Sequence, residues 1–145
     1  MNSFIHQLLK VAKDILADYE KPSDSLVKKS LTNAAPIFEY EKEKVDGYKL
    51  QLVPRDSIKY TETHEGKEPY MPEVHYLWDM AKDNPSKIRP PILEKHGSIF
   101  YVRDGHHRVS VLKKYHDKIW AVVVDLSNSK TQKILQDLQK GYFGK

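Results

Sequence analysis

One short stretch, Asp104-Gly105-His106-His107-Arg108, gathers the side chains best suited to chemistry. It follows the apolar run "IFYV" and precedes apolar residues at helical spacing, so we expect a strand to end and a helix to begin there. The first turn of a helix leaves backbone N–H groups unpaired and carries partial positive charge. Gly105 lets a ligand approach the backbone closely, and the guanidinium of Arg108 suits phosphate oxygens. The pattern predicts a phosphate site in which His106 and His107 supply donors that gain charge near neutral pH.

Asp104 is the unexpected member of this group, because a carboxylate repels a neighbouring phosphate. Three roles remove the conflict: Asp104 holds Mg²⁺ that bridges to phosphate, acts as a general base toward a hydroxyl group, or accepts hydrogen bonds from ribose. The structural alternative is that Asp104 caps the helix, the two histidines are solvated and Arg108 pairs with a surface acid. Two adjacent histidines between the glycine and the arginine favour a functional site.

The composition excludes several classes of protein. The chain has 145 residues, of which 39% are hydrophobic and 30% are charged, as in a single globular domain. It contains no cysteine, which excludes disulfides, thiol nucleophiles and cysteine-ligated metals. The sequence has no apolar run long enough to span a membrane and no secretory signal at its start, so a cytoplasmic protein without membrane contact is expected.

Charge is distributed unevenly along the chain. Residues 1–47 carry 7 Lys+Arg and 8 Asp+Glu, whereas residues 48–145 carry 17 and 12, a net charge of +5. All four arginines lie in the second part. This excess suits an anionic ligand but is too small to indicate nucleic acid by itself.

Residues 1–47 are predicted to form an N-terminal helical arm. Apolar residues recur at helical spacing from Ile5 to Tyr19, and a short second helix passes through Leu26 and Leu31. The following segment is interpreted as a charged connector that ends at a turn at Asp46-Gly47. An amphipathic arm on a small core makes a homodimer through this arm possible.

Strands and helices alternate over residues 48–126, the predicted core. The strand-like stretches are "YKLQLVP", "RPPILEK", "SIFYV" and the continuous apolar run "IWAVVVD", and the helical stretches are "MPEVHYLWDMAKDNP" and "RVSVLKKYH". Residues 127–145 are predicted to form a C-terminal helix that Ser129 or Thr131 caps and Gly141 ends. The alternation predicts an α+β fold, close to α/β, with helices packed on a mixed sheet.

The segment from Lys87 to Asp125 resembles the core of the ParB/sulfiredoxin superfamily. The shared order is a Pro-Pro-Ile strand, a second strand, a Gly-x-His-Arg turn, a helix and an Ala-Val strand, with weaker similarity back to about Leu50. The resemblance implies a ParB/sulfiredoxin-like mixed sheet with packed helices. It also implies that His107 and Arg108 hold nucleotide phosphates together with Gly105 and the first helical turn.

Three branches of the superfamily compete. Sulfiredoxins carry a catalytic cysteine where this chain has His106, so reduction of sulfinic acids is excluded. Chromosome-partitioning ParB proteins have a helix-turn-helix domain downstream, and only about twenty residues follow Asp125, which disfavours that role. The third branch shares Asp-Gly-His-His-Arg and includes free-serine kinases that use ADP or ATP. That resemblance implies a catalytic Asp104 and a glutamate base after the first core strand, with Glu62 the best candidate and Glu65 the second.

The prediction is therefore a nucleotide-dependent phosphotransferase for a small hydroxyl compound, or an NTPase, using Mg²⁺ with ADP or ATP. Asp104, Glu62 and His107 are the expected catalytic residues, and Asp104 is the expected Mg²⁺ ligand. Gly105, His106, His107 and Arg108 are expected to bind the phosphates. The alternative is a ParB-like nuclease or DNA-binding regulator, and a further possibility is nucleotide binding that only controls assembly.

Other residues are weaker candidates. The loop acids Glu62, Glu65 and Glu68, with His64 between the first two, are more typical of a solvated loop than of a metal site. Tyr60, Tyr70 and Trp78 could stack on a base, although a core or surface role is more common for aromatic residues. Arg89, just before Pro90-Pro91, either reaches an anion or is a plain charge at a strand edge.

Overall fold

A five-stranded mixed sheet with helices on both faces confirms the predicted α+β fold. The computed structural model describes residues 3–8, 18–62 and 75–140. Residues 3–8 are helical, and the later helices are α1 (Asp24–Tyr40), α2 (His75–Asp83), α3 (His106–Tyr115) and α4 (Thr131–Gln139). The strands are β1 (Lys44–Pro54), β2 (Ile58–Lys59), β3 (Ile92–His96), β4 (Ile99–Asp104) and β5 (Lys118–Ser127).

The strand order is β1-β5-β3-β4-β2. Strands β1 and β5 are antiparallel, as are β3 and β4, whereas β3 is parallel to β5 and β2 is parallel to β4. A two-residue turn joins β3 to β4, and Gly97 in that turn has a φ of +62°, which glycine adopts without strain. Helix α3 connects β4 to β5 and begins directly after the end of β4.

Two apolar clusters hold the layers together, one on each face of the sheet. On one face, Leu93, Val102 and Ala121 pack with Val109 and Leu112 of α3. On the other face, the strands contribute Ile92, Val122 and Val124, and helix α1 contributes Val27, Ala34 and Phe38. Because successive strand residues point to opposite faces, the run "AVVV" of β5 feeds both clusters.

The predicted connector after Leu31 is wrong. Helix α1 continues through Pro36 to Tyr40, because the helical spacing of Leu31, Ala34 and Phe38 places these side chains on the sheet. Burial of this face outweighs the missing hydrogen bond at the exposed proline.

The predicted turn at Asp46-Gly47 is also wrong. Both residues lie within β1, where the register against β5 shifts between Val45 and Gly47. A β-bulge inserts one extra residue into a strand, so a turn-like dipeptide fits there without ending the strand.

The C-terminal helix is present, but its predicted cap differs. Lys130 occupies the N-cap position and its side chain makes no capping hydrogen bond, while the Oγ atom of Ser129 accepts the N–H of Thr131 at 3.3 Å. Gly141, the expected end of this helix, lies outside the described residues. Pro72, in the predicted helical stretch "MPEVHYLWDMAKDNP", and residues 9–17 of the predicted arm also lie outside them. Within residues 3–8, 18–62 and 75–140, no helix has the length and apolar character needed to cross a membrane.

Candidate functional site

The turn between β4 and α3 places the predicted site residues around one glycine. Strand β4 ends at Asp104, two residues later than predicted, and α3 begins at His106. Gly105 is the N-cap residue with a φ of +94°, and no side chain makes a capping hydrogen bond there. The structural alternative in which Asp104 caps the helix is therefore wrong.

Gly105 also makes room for Arg108. A Cβ atom on residue 105 would lie 2.5 Å from Nη2 and 2.9 Å from Nε of Arg108, closer than atoms can approach. The guanidinium thus lies directly over the glycine at the start of the helix. A glycine is required at this position both for the backbone conformation and for the space that the arginine occupies.

Arg108 is buried without a full set of partners. Its side chain is 11% exposed, and its Nη2 atom lies 3.6 Å from Oδ2 of Asp104. Its Nε and Nη2 atoms are buried and form no hydrogen bond among the described residues. Burial lowers the pKa of Arg108, the carboxylate of Asp104 opposes that shift, and the positive charge of Arg89 adds to it. The site therefore holds a cation with two buried donors that the described residues leave without a hydrogen bond.

His106 differs from the expectation that it is a charged donor. Its Nε2 atom accepts the Thr61 N–H at 3.2 Å, and its Nδ1 atom lies 3.1 Å from Oε1 of Glu62. The ring therefore carries its proton on Nδ1 and donates it to the carboxylate. Burial, followed by the charges of His107 and Arg108, lowers the pKa of His106 to about 3. His106 is neutral near pH 7 and positions Thr61 and Glu62 beside the turn.

Glu62, which the resemblance names as the candidate base, lies three residues after β2 and beside His106. Its side chain is about half exposed and is oriented by His106. Burial raises the pKa of Glu62, His107 lowers it and Asp104 raises it. A carboxylate with a raised pKa accepts a proton more readily, which is the property that a general base needs.

A cavity of about 480 Å³ connects these residues. Four cationic and two acidic side chains line it: Lys29, Lys87, Arg89, Arg108, Glu62 and Asp104. The exposed His107 and the ring of His106 also line it, and Leu26, Tyr76, Leu77, Met80 and Ile88 contribute apolar surface. The cavity thus combines an excess of positive charge with an apolar wall, as a phosphate-bearing organic ligand would require.

Two of the predicted aromatic stacking residues, Tyr60 and Trp78, do not line this cavity, and several loop candidates lie outside the described residues. The hydroxyl groups of Tyr60 and Ser110 lie 3.1 Å apart in the core, and Trp78 packs against the core. His64, Glu65, Glu68 and Tyr70 lie outside the described residues. Among the weaker candidates that the structure describes, Arg89 lines the cavity.

Sequence reasoning missed Lys29, Lys87 and Tyr76. Exposed lysines on a helix or a short turn are ordinary, so nothing in their spacing distinguishes them. The inward position of His106 did leave a signal, because it lies three and four residues before the buried Val109 and Ser110.

The described residues could bind a metal ion only if a phosphate ligand supplied some of the coordinating oxygen atoms. Among residues 3–8, 18–62 and 75–140, no group of three or more His, Cys, Asp or Glu side chains could hold an ion alone. Asp104 and Glu62 both line the cavity, and the negative charge of Asp104 raises the pKa of Glu62. Mg²⁺ is commonly bound by one or two carboxylates together with substrate phosphates, and these residues suit that mode.

No protein-family model matches this chain, and no curated protein is significantly similar to it. The resemblance of residues 87–125 to the ParB/sulfiredoxin superfamily therefore stays a prediction, as does the use of a nucleotide.

Proposed function

We propose that this chain is a nucleotide-dependent phosphotransferase for a small hydroxyl compound, or an NTPase, of the ParB/sulfiredoxin type. One observation carries the proposal: the buried Nε and Nη2 atoms of Arg108 form no hydrogen bond among the described residues and lie over Gly105 at the start of α3. Buried donors are nearly always satisfied in folded proteins, so unsatisfied ones indicate a missing acceptor. A phosphate oxygen is the acceptor that a guanidinium and a helix N-terminus share.

The nucleotide would occupy the cavity in two parts. Its phosphates would contact Arg108, His107 and the backbone N–H groups of the first helical turn. Its nucleoside would pack on the apolar wall, where the exposed ring of Tyr76 lies beside Leu77. Aromatic stacking of this kind is tolerant of base identity.

The two carboxylates would divide the chemistry. Asp104 would hold Mg²⁺ against the phosphates, and the ion would neutralise charge that develops during transfer. Glu62 would accept the proton of the attacking hydroxyl group, of the acceptor or of water, since burial already favours its protonated form. His106 would orient Glu62 through its Nδ1 proton. Positioning and charge neutralisation are the main requirements of phosphoryl transfer.

The first test is titration calorimetry of ADP, ATP and CTP with Mg²⁺ against the chain and its Arg108→Ala variant. We expect micromolar binding of at least one nucleotide, weakened by about 1.5–3 kcal/mol in the variant, the value typical of hydrogen bonds to charged groups. Unchanged affinity would remove Arg108 from the site. Absence of binding for all three would contradict the proposal.

The second test separates catalysis from binding. Asp104→Asn and Glu62→Gln should retain the fold but lose transfer or hydrolysis of the terminal phosphate, measured with a panel of small hydroxyl compounds. Full activity in both variants would contradict the assigned roles. Labelled DNA at several salt concentrations tests the nucleic-acid alternative, because DNA affinity falls steeply with salt.

A further inference from the structure

The cavity extends beyond the turn, toward α1 and the segment before β3. Lys29 from α1 and Lys87 and Arg89 from that segment also line it. None of these side chains belongs to the Asp104–Arg108 turn, so a second group of cations faces the same space. This second group of cations has a role of its own only if the ligand carries a second anionic group besides the one bound at the Asp104–Arg108 turn.

Arg89, like Arg108, has a buried donor that the described residues leave without a hydrogen bond. Its Nη1 atom is buried and forms no hydrogen bond among the described residues. Its charge acts on Arg108 strongly enough to lower the pKa of that guanidinium further, after burial. Two like charges at this proximity with unsatisfied donors are costly unless an anion lies between them.

The backbone around Arg89 is fixed by packing. The neighbouring Ile88 and Pro90 are buried, and the hydroxyl group of Ser30 donates to the carbonyl oxygen of Pro90 at 2.7 Å. That hydrogen bond ties α1 to the segment at the residue next to Lys29. The backbone segments that carry the two cations are therefore fixed to each other by the core.

We propose that Arg89 and Lys29 form a second anion subsite, which selects ligands with a pyrophosphate group over ligands with one phosphate. Lys87 adds positive charge at its edge. The first phosphate would lie against Arg108 and the start of α3, and the second would bridge toward Arg89 and Lys29. This inference rests on the proposed phosphate site at Arg108. It adds that helix α1, in the predicted N-terminal arm, completes the ligand site.

The test compares ADP with AMP by titration calorimetry in buffer with magnesium chloride, on the full chain and on Arg89→Gln, Lys29→Ala and Lys28→Ala. Lys28 is the matched control, because it is exposed on the same helix but does not line the cavity. We expect the wild-type chain to bind ADP about tenfold to about hundredfold more tightly than AMP, the range for charge-assisted hydrogen bonds. Arg89→Gln should reduce this preference to roughly threefold or less, which corresponds to loss of most of that interaction.

Lys29→Ala should reduce the preference for ADP more than Lys28→Ala does. An unchanged preference in Arg89→Gln would overturn the proposal. If circular dichroism shows that Arg89→Gln is unfolded, the two lysine variants decide the question. A reduced preference for ADP in Lys29→Ala but not in Lys28→Ala supports the subsite, and an equal preference in both overturns it. Equal wild-type affinity for ADP and AMP would contradict the subsite alone, whereas failure to bind either would contradict the proposed function and the subsite with it.

Discussion

Arg103 and Arg108 lie five residues apart, and their surroundings are opposite. The Arg103 side chain is 2% exposed, and its Nη1 atom donates to Glu94 at 2.6 Å, to Glu43 at 2.9 Å and to Thr131 at 3.1 Å. Its Nη2 atom donates to the other oxygen of Glu43. Arg108 has one carboxylate at 3.6 Å, and two of its buried nitrogen atoms form no hydrogen bond among the described residues.

The difference separates a structural cation from a binding cation. Arg103 joins the start of β1, strand β3 and the start of α4, and two carboxylates more than balance its charge. At Arg108 the balance is reversed, because the cavity has more cationic than acidic side chains. A network that is fully satisfied fixes one conformation, whereas unsatisfied donors leave interaction energy for a ligand.

The largest expected effect comes from breaking the Arg103 network. Arg103→Met should lower the free energy of unfolding by about 3–5 kcal/mol, because Glu43 and Glu94 would remain buried without their cation. Arg108→Met should change it by no more than roughly 1 kcal/mol, because its donors stabilise little in the free protein. Urea denaturation of both variants measures the contrast. Equal losses in the two variants would contradict the division into structural and binding cations.

The next effect concerns pH and His106. The pKa of His106 is about 3 in the folded chain, below its ordinary value, so only the unfolded chain takes up this proton between about pH 6.5 and 3. Stability is therefore lost as the pH falls through this window. Between pH 7.5 and 5, the wild-type chain should lose roughly 2 kcal/mol more than His106→Gln. Denaturation curves at the two pH values test this, and parallel losses would contradict a buried neutral histidine.

The smallest expected effect comes from the glycine below Arg108. Gly105→Ala places a Cβ atom at a φ of +94° and in the space of the guanidinium, so it should cost about 1–3 kcal/mol of stability and weaken ADP binding. Gly97→Ala is the control, because its φ is +62° and nothing lies within 4 Å of the added atom. Both variants should have a lower melting temperature than the wild-type chain, because each places a side chain at a positive φ. Calorimetry should show weaker ADP binding only for Gly105→Ala, and equal weakening in both would contradict the account.

Periodicity was sufficient to predict most of the sheet and the helix that carries the site. The apolar run of β5, the β3–β4 hairpin at Gly97 and the inward residues Val109 and Leu112 all follow from local patterns. Helix α1 was predicted too short, because its proline and charged residues resemble a connector. The burial of Phe38 against the sheet is a tertiary effect that local propensity does not contain.

The candidate site could be predicted only in part. The Asp104–Arg108 turn and Glu62 do line one cavity, as expected. Lys29 could not be assigned, because it reaches the cavity from a helix more than seventy residues away in sequence. Nor does a sequence distinguish Arg103 from Arg108, since the state of each guanidinium depends on partners that only the fold brings near.

One measurement tests the central claim most directly: urea unfolding of the wild-type chain and Arg108→Ala, each with and without ADP and Mg²⁺. The account predicts equal stability without ligand to within about 1 kcal/mol. At about 100 times its Kd, ADP should stabilise the wild-type chain by roughly 2.7 kcal/mol and the variant by much less. Stabilisation of both proteins to the same extent, or of neither, would contradict the assignment of Arg108 as the cation that binds phosphate.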